Sequence, residues 1–143
     1  MHIDIYIDGA SKGNPGPSGV GVIICQGEHV LKNISCFIGE ATNNVAEYTA
    51  LIYALEAALL FKADSVNIKT DSQLLHRQVT GAYKIKEPHL MGLFQRVKDL
   101  KGALNSFRIE HIPREKNRGA DKLASQAVKL AKETKKQKRA GEK

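Results

Sequence analysis

The 143 residues contain no apolar run long enough to cross a bilayer. The longest uncharged apolar stretch, Tyr48 to Leu55, stops at Glu56, well short of the ~20 residues a spanning helix needs. No secretory leader is expected, because Met-His-Ile-Asp-Ile-Tyr-Ile-Asp sets two acids where basic residues and an apolar block belong. These absences predict a soluble, cytoplasmic protein. Cysteine is scarce, with only Cys25 and Cys36. They flank a hairpin turn at Gln26-Gly27-Glu28-His29. Opposing Gln26 to His29 sets Cys36 against Gly19, so the two thiols lie roughly 20 Å apart along the ladder, beyond the ~7 Å a disulfide allows. Two buried thiols in a reducing compartment are expected. Neither cysteine has a Cys or His partner at zinc spacing, and the absence of Gly-x₄-Gly-Lys-Ser/Thr argues against a P-loop. Gly19-Val20-Gly21 lacks a third glycine and sits in a strand pattern, against a dinucleotide fingerprint.

What is present is a moderate apolar fraction, 42%, enough for one core. The net charge of +7 is unevenly placed. Residues 122–143 hold eight Lys/Arg against Glu133 and Glu142, while residues 1–121 hold 14 basic and 13 acidic side chains. A Lys-rich end either holds nucleic acid by releasing counterions or only keeps a protein soluble, so charge alone leaves the partner open.

Hydropathy patterning divides the chain into nine elements. Ile3, Ile5 and Ile7 alternate with polar residues as a half-buried strand ending at Asp8. Gly13 to Gly19 is dense in turn formers and reads as a loop. Val20–Cys25 and Val30–Ile38 read as a hairpin, and a long helix follows from the Thr42-Asn43-Asn44 cap through Phe61. Ser65–Thr70 is a strand, Ser72–Thr80 a helix, Pro88–Leu100 a second helix and Ser106–Ile112 the last strand. A final helix is expected from Lys116 to about Glu133, giving a domain over residues 1–133 and a flexible Lys-rich tail over 134–143. The order β-β-β-α-β-α-α-β-α predicts an α/β fold with a mixed five-stranded sheet and helical cover.

Four acids stand where an acid needs a reason. Asp8 and Asp71 close strands, the end at which α/β sheets gather ligands. Glu47 heads the stripe Leu51, Leu55, Ala58, and Asp121 heads Ala124, Val128, Ala131. An ionised acid on an inward face is costly unless paired or bound to a cation. Convergence of the four would demand divalent ions, and hard oxygen donors favour Mg²⁺ or Mn²⁺. Two such ions suit phosphodiester hydrolysis.

Four segments then resemble the type 1 ribonucleases H: Tyr6 to Pro17, with Asp8 and Asn14; Ala41 to Tyr48, with Thr42, Asn43, Asn44 and Glu47; Lys69 to Leu75, with Asp71 and Gln73; and His111 to Ala124, with Asn117 and Asp121. The resemblance implies strand order 3-2-1-4-5 with helices on both faces. It implies that Asp8, Glu47, Asp71 and Asp121 bind two Mg²⁺ ions, Mn²⁺ substituting, with no organic cofactor. It implies hydrolysis of the RNA strand of RNA–DNA hybrids, leaving 5′-phosphate and 3′-hydroxyl ends, by a monomer. Ser11, Asn14, Thr42, Asn43, Asn44 and Gln73 are then expected substrate contacts, although Asn43 and Asn44 also suit plain helix capping. His111 stands where the family often has a proton-transfer histidine. Ile112-Pro113-Arg114 follows in place of a glycine-rich loop, which favours a structural His111 and gives Arg114 part of the role. Members with a Trp- and Lys-rich protrusion differ between Gln78 and Leu100, where this chain has no tryptophan and only Tyr83, Lys84 and Lys86 form a modest basic-aromatic patch. Weak hybrid grip in the core, supplemented by the tail, is the expectation. The alternatives are a nucleic-acid-binding module without catalysis and a metal-dependent nuclease acting on duplex RNA.

Overall fold

The apolar alternation of Ile3, Ile5 and Ile7 becomes the central strand of a computed structural model that describes residues 1–141. Strands β1 (His2–Ser11), β2 (Gly16–Gln26), β3 (His29–Ala41), β4 (Ser65–Thr70) and β5 (Ser106–His111) form one sheet in the order β3-β2-β1-β4-β5. β1–β2 and β2–β3 pair antiparallel, while β1–β4 and β4–β5 pair parallel. The mixed sheet expected from the element order is the one observed. Helices α1 (Asn43–Leu60), α2 (Gln73–Val79), α3 (Pro88–Gly102) and α4 (Arg118–Gly141) complete the domain, with a single 3₁₀ turn at Arg114–Lys116 leading into α4. No helix among the described residues is long and apolar enough to cross a membrane.

Helices α1 and α4 lie on opposite faces. Ile3, Ile5, Ile7, Val20, Val22 and Ile24 share one core with α1 residues Leu51 and Leu55. Alternate residues of β2, Gly19 and Gly21, turn the other way toward α4. α1 is buried well beyond the predicted stripe, adding Ala46, Tyr48, Ala50, Ile52, Ala54 and Ala57, because α3 covers the side that the sheet leaves bare. Within this core the Tyr48 hydroxyl donates to Gln78 Oε1 at 2.7 Å, tying α1 to α2.

Several expectations are corrected. The loop predicted over Gly13–Gly19 is shorter, because β2 begins at Gly16. Its glycines serve packing: a Cβ on Gly19 would lie 3.0 Å from Ala127 Cβ, and one on Gly21 would lie 2.8 Å from Ala124 N. Cys36 pairs with Val20 rather than Gly19, because a bulge at Ile24/Cys25 slips the register. Both cysteines are free and only half-buried, Cys36 on the edge strand β3 and Cys25 next to the last residue of β2. Finally, helix α4 continues past Glu133 to Gly141 where coil was expected. Lys, Glu, Gln and Ala favour helix, and no Gly or Pro interrupts them before Gly141. The last two residues of the expected tail, 142 and 143, lie outside the described residues.

Candidate active site

Sheet register creates the site. The parallel β1–β4 ladder ends at Ile7↔Thr70, so Asp8 and Asp71 are the next residues on neighbouring chains. β1 itself does not end there. It runs on to Ser11 against β2, with Asp8 opposite Gly21, so Asp8 is held on a strand rather than on a loose turn. Glu47 arrives from the first turns of α1 because Gly9 lets that helix touch β1. A Cβ on Gly9 would come within 2.5 Å of Glu47 N and closer still to the Ala46 carbonyl.

One carboxylate oxygen from each of Asp8, Glu47 and Asp71 lies within 4.8 Å of the others. Asp8 is 6% exposed and Glu47 9%, so two of the three charges are largely removed from water. Burial first, then the charge of Asp71, then the hydrogen bond and charge of Asp121 push the Asp8 pKa up to about 8. Burial, followed by the charges of Asp8 and Asp71, holds Glu47 well above the ordinary carboxylate range, against a lowering hydrogen bond from Gly9. Asp121 stands beside Asp8 and lines the same cavity of about 470 Å³, but it does not join the three-way cluster. It is carried by α4, which reaches the site from the other face of the sheet.

The donor set fits a hard divalent cation. Its ligands are carboxylate oxygens, and Glu47 Oε2 is buried with no hydrogen-bond partner. An orphaned carboxylate oxygen beside two more acids is costly unless a cation lies against it.

Asn117 stands in the fourth matching segment, but its sequence context gives it no expected role. It is 1% exposed, and its Nδ2 donates to Ile7 O at 2.8 Å and to Asp71 Oδ2 at 3.0 Å. One amide thus fixes the Asp71 carboxylate to the backbone of β1. Its own carbonyl oxygen O accepts from Asp121 N at 3.1 Å, so Asn117 also sets the start of the α4 acid. Nothing in a polar segment between strand and helix distinguishes such an Asn from a cap.

The expected substrate contacts divide into two groups. Ser11, Asn43, Asn44 and Arg114 line the carboxylate cavity, together with Lys12 and Ser72, whereas Asn14, Thr42, Gln73 and His111 do not. Asn14, in the left-handed region at φ 36, accepts the Asn43 N–H at 2.9 Å, and Asn43 Oδ1 accepts the Ser11 N–H at 3.0 Å. Thr42 caps α1 by accepting from Val45 N. Gln73 is the first, exposed residue of α2, whose cap is Ser72. His111 is the last residue of β5 and exposed, with Nε2 3.3 Å from Asp71 O and its ring 6.2 Å from that of His76. Tyr83 of the modest basic-aromatic patch is engaged by Arg77, which hydrogen-bonds its hydroxyl and lies over its ring.

A family model described as reverse transcriptase-like matches residues 6–127. The ribonuclease H of Nitrobacter hamburgensis is 35% identical over 147 aligned positions, covering 91% of this chain and 93% of that one. The chain belongs to the ribonuclease H family. It is also 42% identical over 127 residues to ribonuclease HI of Halobacterium salinarum, covering 88% of this chain. It spans 64% of that relative's length and 36% of longer mycobacterial relatives. Among solved structures, LC11-RNase H1 in complex with an RNA/DNA hybrid superposes with a TM-score of 0.85 at 44% identity, covering 90% of this chain and 98% of that one. The structural likeness agrees with the fold described above.

Proposed function

We propose that this ribonuclease H domain is a metal-dependent endoribonuclease that hydrolyses the RNA strand of RNA–DNA hybrids, leaving 5′-phosphate and 3′-hydroxyl ends. The observation that carries the reading is the cluster of Asp8, Glu47 and Asp71 oxygens within 4.8 Å, with Glu47 Oε2 buried and unpartnered. A site this anionic repels a phosphate backbone unless cations intervene, so a pure binding groove has no use for it.

Asp8, Glu47, Asp71 and Asp121 would hold two Mg²⁺ ions, with Mn²⁺ as substitute. When bound, such ions activate water, hold the scissile phosphate and neutralise the leaving oxygen. The protein's part is positional. Asn117 and the β1–β4 register keep Asp71 and Asp8 side by side, and the Gly9 contact keeps Glu47 against them. Ser11, Asn43 and Asn44 on the cavity wall offer polar groups to the sugar–phosphate backbone, and the RNA 2′-hydroxyl is the feature available to tell the strands apart. Asn14, Thr42 and Gln73 act just outside, the first by holding Asn43 in place. Arg114, on the cavity wall, is better sited than His111 to hold the anionic product through its fixed positive charge, while His111 stays a structural partner of the Asp71 backbone. The domain works as a monomer, and its free Cys25 and Cys36 suit a reducing cytoplasm.

The test is a cleavage panel. Labelled RNA–DNA hybrid, duplex RNA and duplex DNA are each incubated with Mg²⁺ or with EDTA. Cutting of the hybrid's RNA alone, abolished by EDTA, is expected, and Asp71→Asn should lower the rate by at least about 100-fold. Tight binding without cutting in Mg²⁺ or Mn²⁺ would establish the binding-module reading instead.

A further inference from the structure

Helix α4 outruns the sheet it packs on. Its last buried residues are Ala127 and Val128, yet the helix continues to Gly141. Along it stand Arg118, Lys122, Lys129, Lys132, Lys136 and Arg139, spaced by 4, 7, 3, 4 and 3 residues, the spacings that return to one helical face. All six are exposed. Among the described residues, no ion pair involves any of them, including the neighbouring Glu133. Six like charges on one face repel one another at helical spacing, and the helix dipole favours only the one in the last turn, Arg139.

The stripe is joined to the site. Arg118 and Lys122 line a surface cavity of about 590 Å³ with Arg114 and Asp121. Arg114 and Asp121 also line the carboxylate cavity. From Arg118 to Arg139 the stripe is about 32 Å long at 1.5 Å per residue.

We propose that this face of α4 is a phosphate track that binds the sugar–phosphate backbone of the substrate beyond the segment being cut. The inference rests on the nuclease reading only in taking the ligand to be nucleic acid. Four of the six cations are lysines, point charges suited to sequence-independent phosphate contact. An anionic lipid surface fits less well. A helix lying in an interface needs an apolar face opposite its charges, whereas the projecting part of α4 carries Lys138 on the side away from the stripe and Lys135 on its flank.

The experiment pairs two variants of equal charge change, Lys132→Gln/Lys136→Gln on the stripe and Lys62→Gln/Lys138→Gln off it, Lys62 being exposed just past the end of α1. Circular dichroism confirms helix content, which Gln preserves. Binding to an RNA–DNA hybrid of about 30 base pairs is followed by fluorescence anisotropy in EDTA across a salt series. The stripe pair should weaken binding by about 5- to 10-fold and flatten the log–log salt slope by about 2, while the off-stripe pair changes affinity less than about 2-fold. Equal losses from the two pairs would reduce the effect to net charge and overturn the track, as would tighter capture by anionic phospholipid vesicles than by hybrid. Cleavage by the unaltered protein in Mg²⁺ is measured alongside. Absent cutting with the predicted binding pattern refutes the nuclease reading and supports the track, while cutting with equal losses from both pairs does the reverse.

Discussion

Helices α1 and α4 begin at the same place and end as different kinds of element. Each delivers one acid to the site, Glu47 from α1 and Asp121 from α4, and each approaches the sheet over glycine. α1 is then buried along nearly its whole length, between the sheet and α3. α4 buries only Ala120, Ala124, Ala127 and Val128 and leaves the sheet as an exposed cationic helix. Stability and site geometry are therefore inseparable in α1, whereas the far half of α4 is free to carry charge without supporting the core.

The comparison breaks most sharply at the glycine contact. Gly9→Ala places a Cβ against the Ala46–Glu47 backbone, which must shift. An expected loss of more than about 3 kcal/mol in denaturant unfolding, together with loss of hybrid cleavage, would show that one contact serves both fold and site. Next, Leu55→Ala, at 0% exposure in α1, should cost about 2–5 kcal/mol, while Leu130→Ala, 60% exposed in α4, should stay within about 0.5 kcal/mol. Comparable losses would erase the distinction between the helices.

Smaller effects concern the hinge between the two acids. Asn117→Ala removes the donor shared by Ile7 O and Asp71 Oδ2, with an expected cost of about 1–3 kcal/mol. Because Asn117 positions Asp71 rather than touching substrate, kcat should fall further than KM changes, and Asp71→Asn should mask the effect in a double variant. Asp8 gives a pH signature. Its pKa, raised to about 8 in the fold, means that the metal-free folded state binds the proton more tightly than the unfolded chain. That contribution to stability is present below the ordinary value of 3.8 and is lost as pH rises through about 8. Asp8→Asn, which cannot ionise, should raise the Tm of the metal-free protein by a few degrees at pH 8 and by less at pH 5. A gain larger at pH 5 would contradict the repulsion.

Much of this was legible in the residues because period and partner coincide there. Ile3, Ile5 and Ile7 announce a strand, and an acid heading Leu51 and Leu55 announces a site. The unread parts depend on contacts distant in sequence. Gly16 to Gly19 look like a turn until α4 is seen to need the room above Gly19 and Gly21. The bulge at Ile24/Cys25 leaves no hydropathy trace, so the Cys36 register slips by one. Asn117 bonds a strand 110 residues away, and no local pattern records that. Asp121 shares its stripe logic with Glu47, yet its helix comes from the opposite face and leaves it beside the three-way cluster rather than in it.

The most direct measurement is anomalous diffraction from crystals of the protein grown with Mn²⁺. The account predicts anomalous peaks bounded by the carboxylate oxygens of Asp8, Glu47 and Asp71, with Asp121 on the second ion, at roughly 2.0–2.3 Å from their ligands. Crystals that bind Mn²⁺ elsewhere while Glu47 Oε2 stays without a cation would contradict it.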